Sequence, residues 1–159
     1  MQGFSLLLVG SKRAAAEGWQ GNGKNRGRRE ERAMLTFATS RYFGRQKVFD
    51  SGLAPVRTTT GAPRFALGYE LAGNVGMLAP YGLRSIEDEA EFEAAYRARL
   101  DGFGVEKIRT ALEDVARSAG TAGVVLLCFE DLEDPTQSCH RTIFAAWWGE
   151  QTGEDVPEL

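Results

Sequence analysis

Seven consecutive residues, Gly123-Val124-Val125-Leu126-Leu127-Cys128-Phe129, carry no charge and no polar group beyond one thiol. A continuous apolar run of strand length predicts a strand apolar on both faces. Such a strand must be covered above and below, as the inner strands of a parallel sheet are when helices flank them. This requirement points to an α/β chain before any other element is placed.

The flanking sequence supplies matching elements. Met34–Thr39 is short and apolar and reads as a first strand, and Ala54–Thr59 as a second, with Pro55 at its start or edge because it cannot donate to a ladder. Ser40–Leu53, polar and aromatic, reads as a loop. Thr60–Gly82, punctuated by glycine and proline, reads as a long loop with a short helix between Tyr69 and Leu78. Ser85 and Asp88 form a capping signature, and Phe92, Tyr96, Leu100 and Phe103 follow at helical spacing up to Gly104. Val105, Ile108, Leu112, Val115 and Ala119 make a second stripe, closed by Gly120. Cys139–Trp148 reads as a third helix turning Phe144, Trp147 and Trp148 inward and ending at Gly149 or Gly153. Strands separated by helices around a buried central strand predict a three-layer α/β sandwich with a mostly parallel, Rossmann-like sheet.

Charge divides the chain of 159 residues unevenly. Residues 1–33 hold seven basic residues against three acidic ones, and the remainder holds twelve against nineteen. The Gly/Asn-rich stretch Gly18–Gly27 has almost nothing to bury, so residues 1–33 read as a flexible basic extension and 34–159 as a single domain. Phe4–Val9 is too short, and its positive charges Lys12 and Arg13 come on the wrong side, for a secretory signal. No apolar stretch approaches the roughly 18 residues of a spanning helix. The expectation is a cytoplasmic protein without a membrane partner, and the basic tail leaves a nucleotide or nucleic-acid ligand open.

The chemistry-bearing residues gather at one junction. Cys128 ends the apolar strand, Glu130 opens the acidic turn, and Cys139-His140-Arg141 begins the next helix with the chain's one histidine. Ligands of open α/β sheets bind at the carboxyl ends of strands, near helix N-termini. A thiol at a helix start is biased toward thiolate, and an arginine there favours an anion. Arg57, near the end of the second strand, and Arg64 add further positive charge. Each residue also has a plainer role open to it: Cys128 as a buried small hydrophobe, Cys139 tucked under the helix, and the arginines as ion-pair partners of the acidic turn. Adjacent positions on a helix turn apart, which weakens a simple Cys139–His140 pair, although the first turn need not obey helical spacing. Zinc is not expected, because eleven residues from Cys128 to Cys139 do not make a C-x₂₋₄-C clip. No motif for a phosphate loop, a dinucleotide fold or a metalloprotease occurs, so no cofactor is expected.

The strand end Leu126-Leu127-Cys128-Phe129-Glu130 together with Cys139-His140-Arg141 resembles the C-terminal signature of a family called domain of unknown function 488. Pro55-Val56-Arg57, Gly61-x-Pro63-Arg64-Phe65 and Leu78-Ala79-Pro80-Tyr81-Gly82 are similar to a subgroup found in bacteria and phages. The likeness spans about Leu35 to Leu159. It implies an α/β domain with a shared site at Cys128, Glu130, Cys139, His140 and Arg141, and no settled activity. Many members end the earlier strand in Asp-Val-Arg; here Pro55 replaces the acid.

Two functions follow as expectations. One is an enzyme acting on a nucleotide, nucleic acid or other phosphate-bearing substrate. In it Cys139 is the nucleophile or redox thiol, His140 and Glu130 move protons, Cys128 is counted with them among the catalytic residues, and Arg57, Arg64 and Arg141 hold the anion. The other is a non-catalytic binding or regulatory module that uses the Thr60–Gly82 loop and one of Trp147 and Trp148 as contact surface.

Overall fold

In the computed structural model, which describes residues 34–159, the apolar run is the inner strand β4 (Gly123–Cys128), buried along its whole length. It pairs in parallel with β1 (Thr36–Arg41) on one side and with β2 (Ala54–Arg57) on the other. A two-residue strand, β3 (Gly73–Asn74), adds to β2, giving the all-parallel order β1-β4-β2-β3. Gly123 is required where β4 begins. A Cβ there would stand 1.8 Å from the Thr36 carbonyl oxygen, so any side chain would push β1 off its partner. The expectation for residues 1–33 lies outside the described residues.

Alternation along the strands sends side chains to two separate cores. Phe37, Val56, Val124 and Leu126 face three helices: α2 (Glu89–Phe103), α3 (Val105–Ala119) and α4 (His140–Thr152). Those helices contribute Tyr96, Leu100, Ile108, Leu112, Phe144 and Trp148 to the larger core. Ala38, Val125 and Leu127 face the opposite way and meet Tyr42, Val48 and a fringe of loop side chains that includes Phe65 and Tyr69. The sheet therefore lies between two covering layers, as the apolar strand required.

Several boundaries differ from the sequence expectation for identifiable reasons. Ser40–Leu53 is not all loop: it holds α1 (Arg45–Ser51), whose one buried side chain is Val48, so no apolar stripe marked it. The Thr60–Gly82 stretch contains β3 and a 3₁₀ turn at Gly76–Leu78. Asp88 itself caps α2, its Oδ1 accepting from the Glu91 N–H at 2.8 Å. Trp147 and Trp148 are both buried, as the inward-facing reading of this helix expected, and neither is exposed as the binding-module alternative would need. Trp148 packs edge-on to Phe37 at 5.2 Å and donates to Glu154, while Trp147 donates to Asp101 of α2. One rests on the sheet and the other on the neighbouring helix, so adjacent positions share one core. No helix among the described residues is long and apolar enough to cross a membrane.

Candidate functional site

Cys128 is the last residue of β4, and alternation turns it toward the helical layer, one step after Leu127 turned away. The acidic turn then carries the chain outward and returns it at Cys139, the N-cap of α4. Cys139 has extended backbone (φ −140°, ψ 138°), so helical spacing does not yet apply to it. Its side chain and that of His140 consequently converge, with Cys139 Sγ 3.9 Å from His140 Nδ1. The cap geometry is thus the exception to helical divergence that a first turn allows.

The cluster closes around these atoms. Cys128 Sγ lies 3.6 Å from His140 Nδ1 and donates to Glu130 Oε2 at 2.6 Å. Cys139 Sγ donates to the same carboxylate oxygen at 3.2 Å. The other imidazole nitrogen, Nε2, lies 2.8 Å from the Thr58 carbonyl oxygen. A carbonyl can only accept, so Nε2 carries a proton, and Nδ1 is the ring atom that faces both sulfurs. Thr58 is held in turn by its hydroxyl, which donates to the Leu127 carbonyl at 2.9 Å. The Tyr96 ring stands edge-on to the imidazole at 5.5 Å. Both cysteines are free thiols and both are buried, as is the imidazole.

This environment separates the two thiols. Cys128 is driven well above the usual thiol range by its hydrogen bond with Cys139, by burial and by the Glu130 charge. Burial alone would raise Cys139 too, but hydrogen bonds from Cys128 and His140 and the imidazolium charge outweigh it and bring the group to about 6. Burial likewise works to raise Glu130, yet the thiol hydrogen bonds from Cys128 and Cys139 prevail and hold it below the ordinary carboxylate range. In the site's lowest-proton arrangement Cys139 carries the thiolate and Cys128 stays a donor.

The cluster borders a cleft of about 1000 Å³ between the α2 entry and the loop after β2. Thr59, Phe65, Phe92 and Ile143 give it apolar and hydroxyl walls. Arg64 and Arg84 also line it, opposed by Glu87, Glu89, Glu93 and Glu130. With four carboxylates against two guanidiniums the charged part of the wall is net negative, which disfavours a polyanion.

The three arginines expected to hold an anion fare differently. Arg64 lines the cleft. Arg141 is not presented to the cleft: its side chain is 1% exposed and gripped by Glu158 at 3.0 and 2.9 Å. Its Nη1 donates to the Glu130 carbonyl at 2.9 Å and to Cys139 Sγ at 3.4 Å, so it braces the cluster from behind. Arg57 pairs in register with Leu127, whose side chain belongs to the second core, so Arg57 leaves the sheet on the face away from Cys128. It is absent from the cleft wall. Thr58, Arg84 and Glu158 were not singled out in the sequence; a backbone carbonyl, a loop arginine and a carboxylate seventeen residues after Arg141 leave no local signal.

The sulfur and nitrogen atoms of Cys128, Cys139 and His140 all lie within 4.8 Å of one another, a grouping that can hold a metal ion. Comparison of the chain with family models, with curated proteins and with solved structures gives no match.

Proposed function

We propose that the chain is an enzyme whose reacting group is the Cys139 thiolate, working on a small molecule with a single phosphate or carboxylate group. The observation that carries this reading is the imidazole pinned by Thr58 so that Nδ1 points at the sulfurs. A thiol beside an oriented imidazole is the minimal nucleophile–base pair, and here the base has its own orienting group. In the forward step Nδ1 takes the Cys139 proton, the sulfur bonds to an electrophilic centre of the substrate, and the leaving group departs with that proton. Glu130 and the Cys128 thiol hydrogen-bond around the developing charges, while Arg64 with Arg84 meets the anionic group across the cleft. Among phosphate-bearing ligands, nucleic acid suits the carboxylate-lined cleft least and a mononucleotide or sugar phosphate suits it best.

The test is thermal denaturation against a panel of nucleotides, sugar phosphates and small carboxylates. At least one compound is expected to raise the midpoint by several degrees. Arg64→Ala should abolish that shift, and Cys139→Ser should keep the shift while losing turnover. A panel that leaves the wild-type midpoint unmoved, or an Arg64→Ala variant that binds as well as wild type, would remove the proposal.

A further inference from the structure

Zinc binds sulfur at about 2.3 Å and imidazole nitrogen at about 2.0–2.1 Å in a tetrahedron. Those lengths place a sulfur and a nitrogen on neighbouring corners about 3.6 Å apart, and two sulfurs about 3.8 Å apart. His140 Nδ1 stands 3.6 Å from Cys128 Sγ and 3.9 Å from Cys139 Sγ, and all three donor atoms lie within 4.8 Å. A fourth donor is at hand, because Glu130 Oε2 contacts both sulfurs. The surroundings match as well. Metal-bound histidines donate their second ring N–H to a carbonyl or carboxylate, and His140 Nε2 donates to the Thr58 carbonyl at 2.8 Å. A thiolate ligand gains from an N–H donor, and Arg141 Nη1 supplies one to Cys139 at 3.4 Å. The eleven-residue spacing that argued against zinc concerns ligands carried on one short loop. Here a strand end and a helix cap, fixed by the fold, bring the donors together.

We propose that Cys128, Cys139, His140 and Glu130 form a site for a soft divalent cation, zinc foremost, and that its occupancy silences the thiol chemistry. On binding, both thiols release their protons to solvent and the sulfurs become ligands. The two sulfurs and Nδ1 are then committed to the ion, so the Cys139 sulfur, its negative charge drawn into the metal bond, is a weakened nucleophile, and Nδ1 has no lone pair left for a proton. The regulatory half of this inference rests on the reading of Cys139 as the reacting group; the ion site itself does not.

The experiment uses zinc and cobalt salts alone with the full chain, reduced and stripped by a chelator. Zinc should bind at one ion per chain by elemental analysis. Cobalt should give a thiolate charge-transfer band and the intense visible absorption of a tetrahedral site. Iodoacetamide at neutral pH should alkylate Cys139 in the stripped protein and spare both cysteines in the zinc-loaded one. Cys128→Ser and Glu130→Gln, checked for a native melting transition, should weaken zinc at least tenfold and severalfold respectively. Substoichiometric zinc, or a weak octahedral cobalt spectrum, would overturn the ion site even if no variant folds. If Cys139 still alkylates in that case, the thiol reading stands alone. Zinc bound at one ion per chain with Cys139 alkylated at an undiminished rate would overturn the silencing. Thiols inert even in stripped protein would instead sink the enzyme reading and leave the ion site to its stoichiometry and spectrum.

Discussion

The sheet is covered by different means on its two faces. One face meets three regular helices, and its core runs unbroken from Phe37 and Val56 to Tyr96, Leu112 and Trp148. The other meets the seven-residue α1 and a fringe of loop side chains around Tyr42 and Val48. The thiol–imidazole cluster stands on the helical face, at the carboxyl edge of β4. Arg57, the residue expected to join it from a neighbouring strand, belongs to the loop-covered face. The difference teaches where a preorganised site can stand. Holding a sulfur within a few tenths of an ångström of an imidazole requires elements whose own positions are fixed by packing.

The contrast can be broken by mutation, with graded results. Trp148→Ala removes the largest buried side chain of the helical face, together with its bond to Glu154 and its contact with Phe37. A loss of about 3–5 kcal/mol is expected in urea unfolding, along with slowed or absent Cys139 alkylation. A smaller effect comes from the brace behind the cluster. Glu158→Ala leaves Arg141 buried without its partner, and because Glu158 is itself about a third exposed the cost should be about 2–3 kcal/mol, below that of a fully buried pair. Its distinguishing readout is the cluster: alkylation of Cys139 should change in rate although no cysteine was touched. The mildest change tests the other face. Val48→Ala deletes two buried methyl groups and should cost about 1–2 kcal/mol while leaving Cys139 reactivity at the wild-type level. If Val48→Ala disturbed the thiol as much as Glu158→Ala, the two faces would not be independent in the sense argued above.

How much of this was legible in the sequence depends on the range of the interactions involved. The run Gly123–Phe129 was enough to require a doubly covered strand, and the stripes from Phe92 and Val105 located α2 and α3 nearly to the residue. Periodicity fails where an element buries one side chain, as α1 does with Val48, or where a strand is two residues long, as β3 is. The cluster was readable as a list, because Cys128, Glu130, Cys139 and His140 lie along one strand–turn–helix unit. Its geometry was not. That Cys139 is a cap rather than a helical residue reverses the argument from spacing. The surroundings of Arg141 were not legible for a similar reason: its partner, Glu158, arrives from a segment with no pattern of its own. Arg57 alone could have been placed correctly beforehand, since the alternation that buries Val56 on one face sends the next residue to the other.

The segment around Glu158 runs beside β1, with Thr39 N–H donating to the Pro157 carbonyl and the Leu159 N–H donating to the Thr39 carbonyl. Through Glu158 and Arg141 it reaches the Cys139 sulfur. A protease that trims this margin, or a fusion partner that pulls it from the sheet, would thus act on the thiol remotely. Preparations that differ only in whether this segment is intact would then differ in sulfur reactivity as well as in melting temperature, the loss of the Glu158–Arg141 pair lowering the latter.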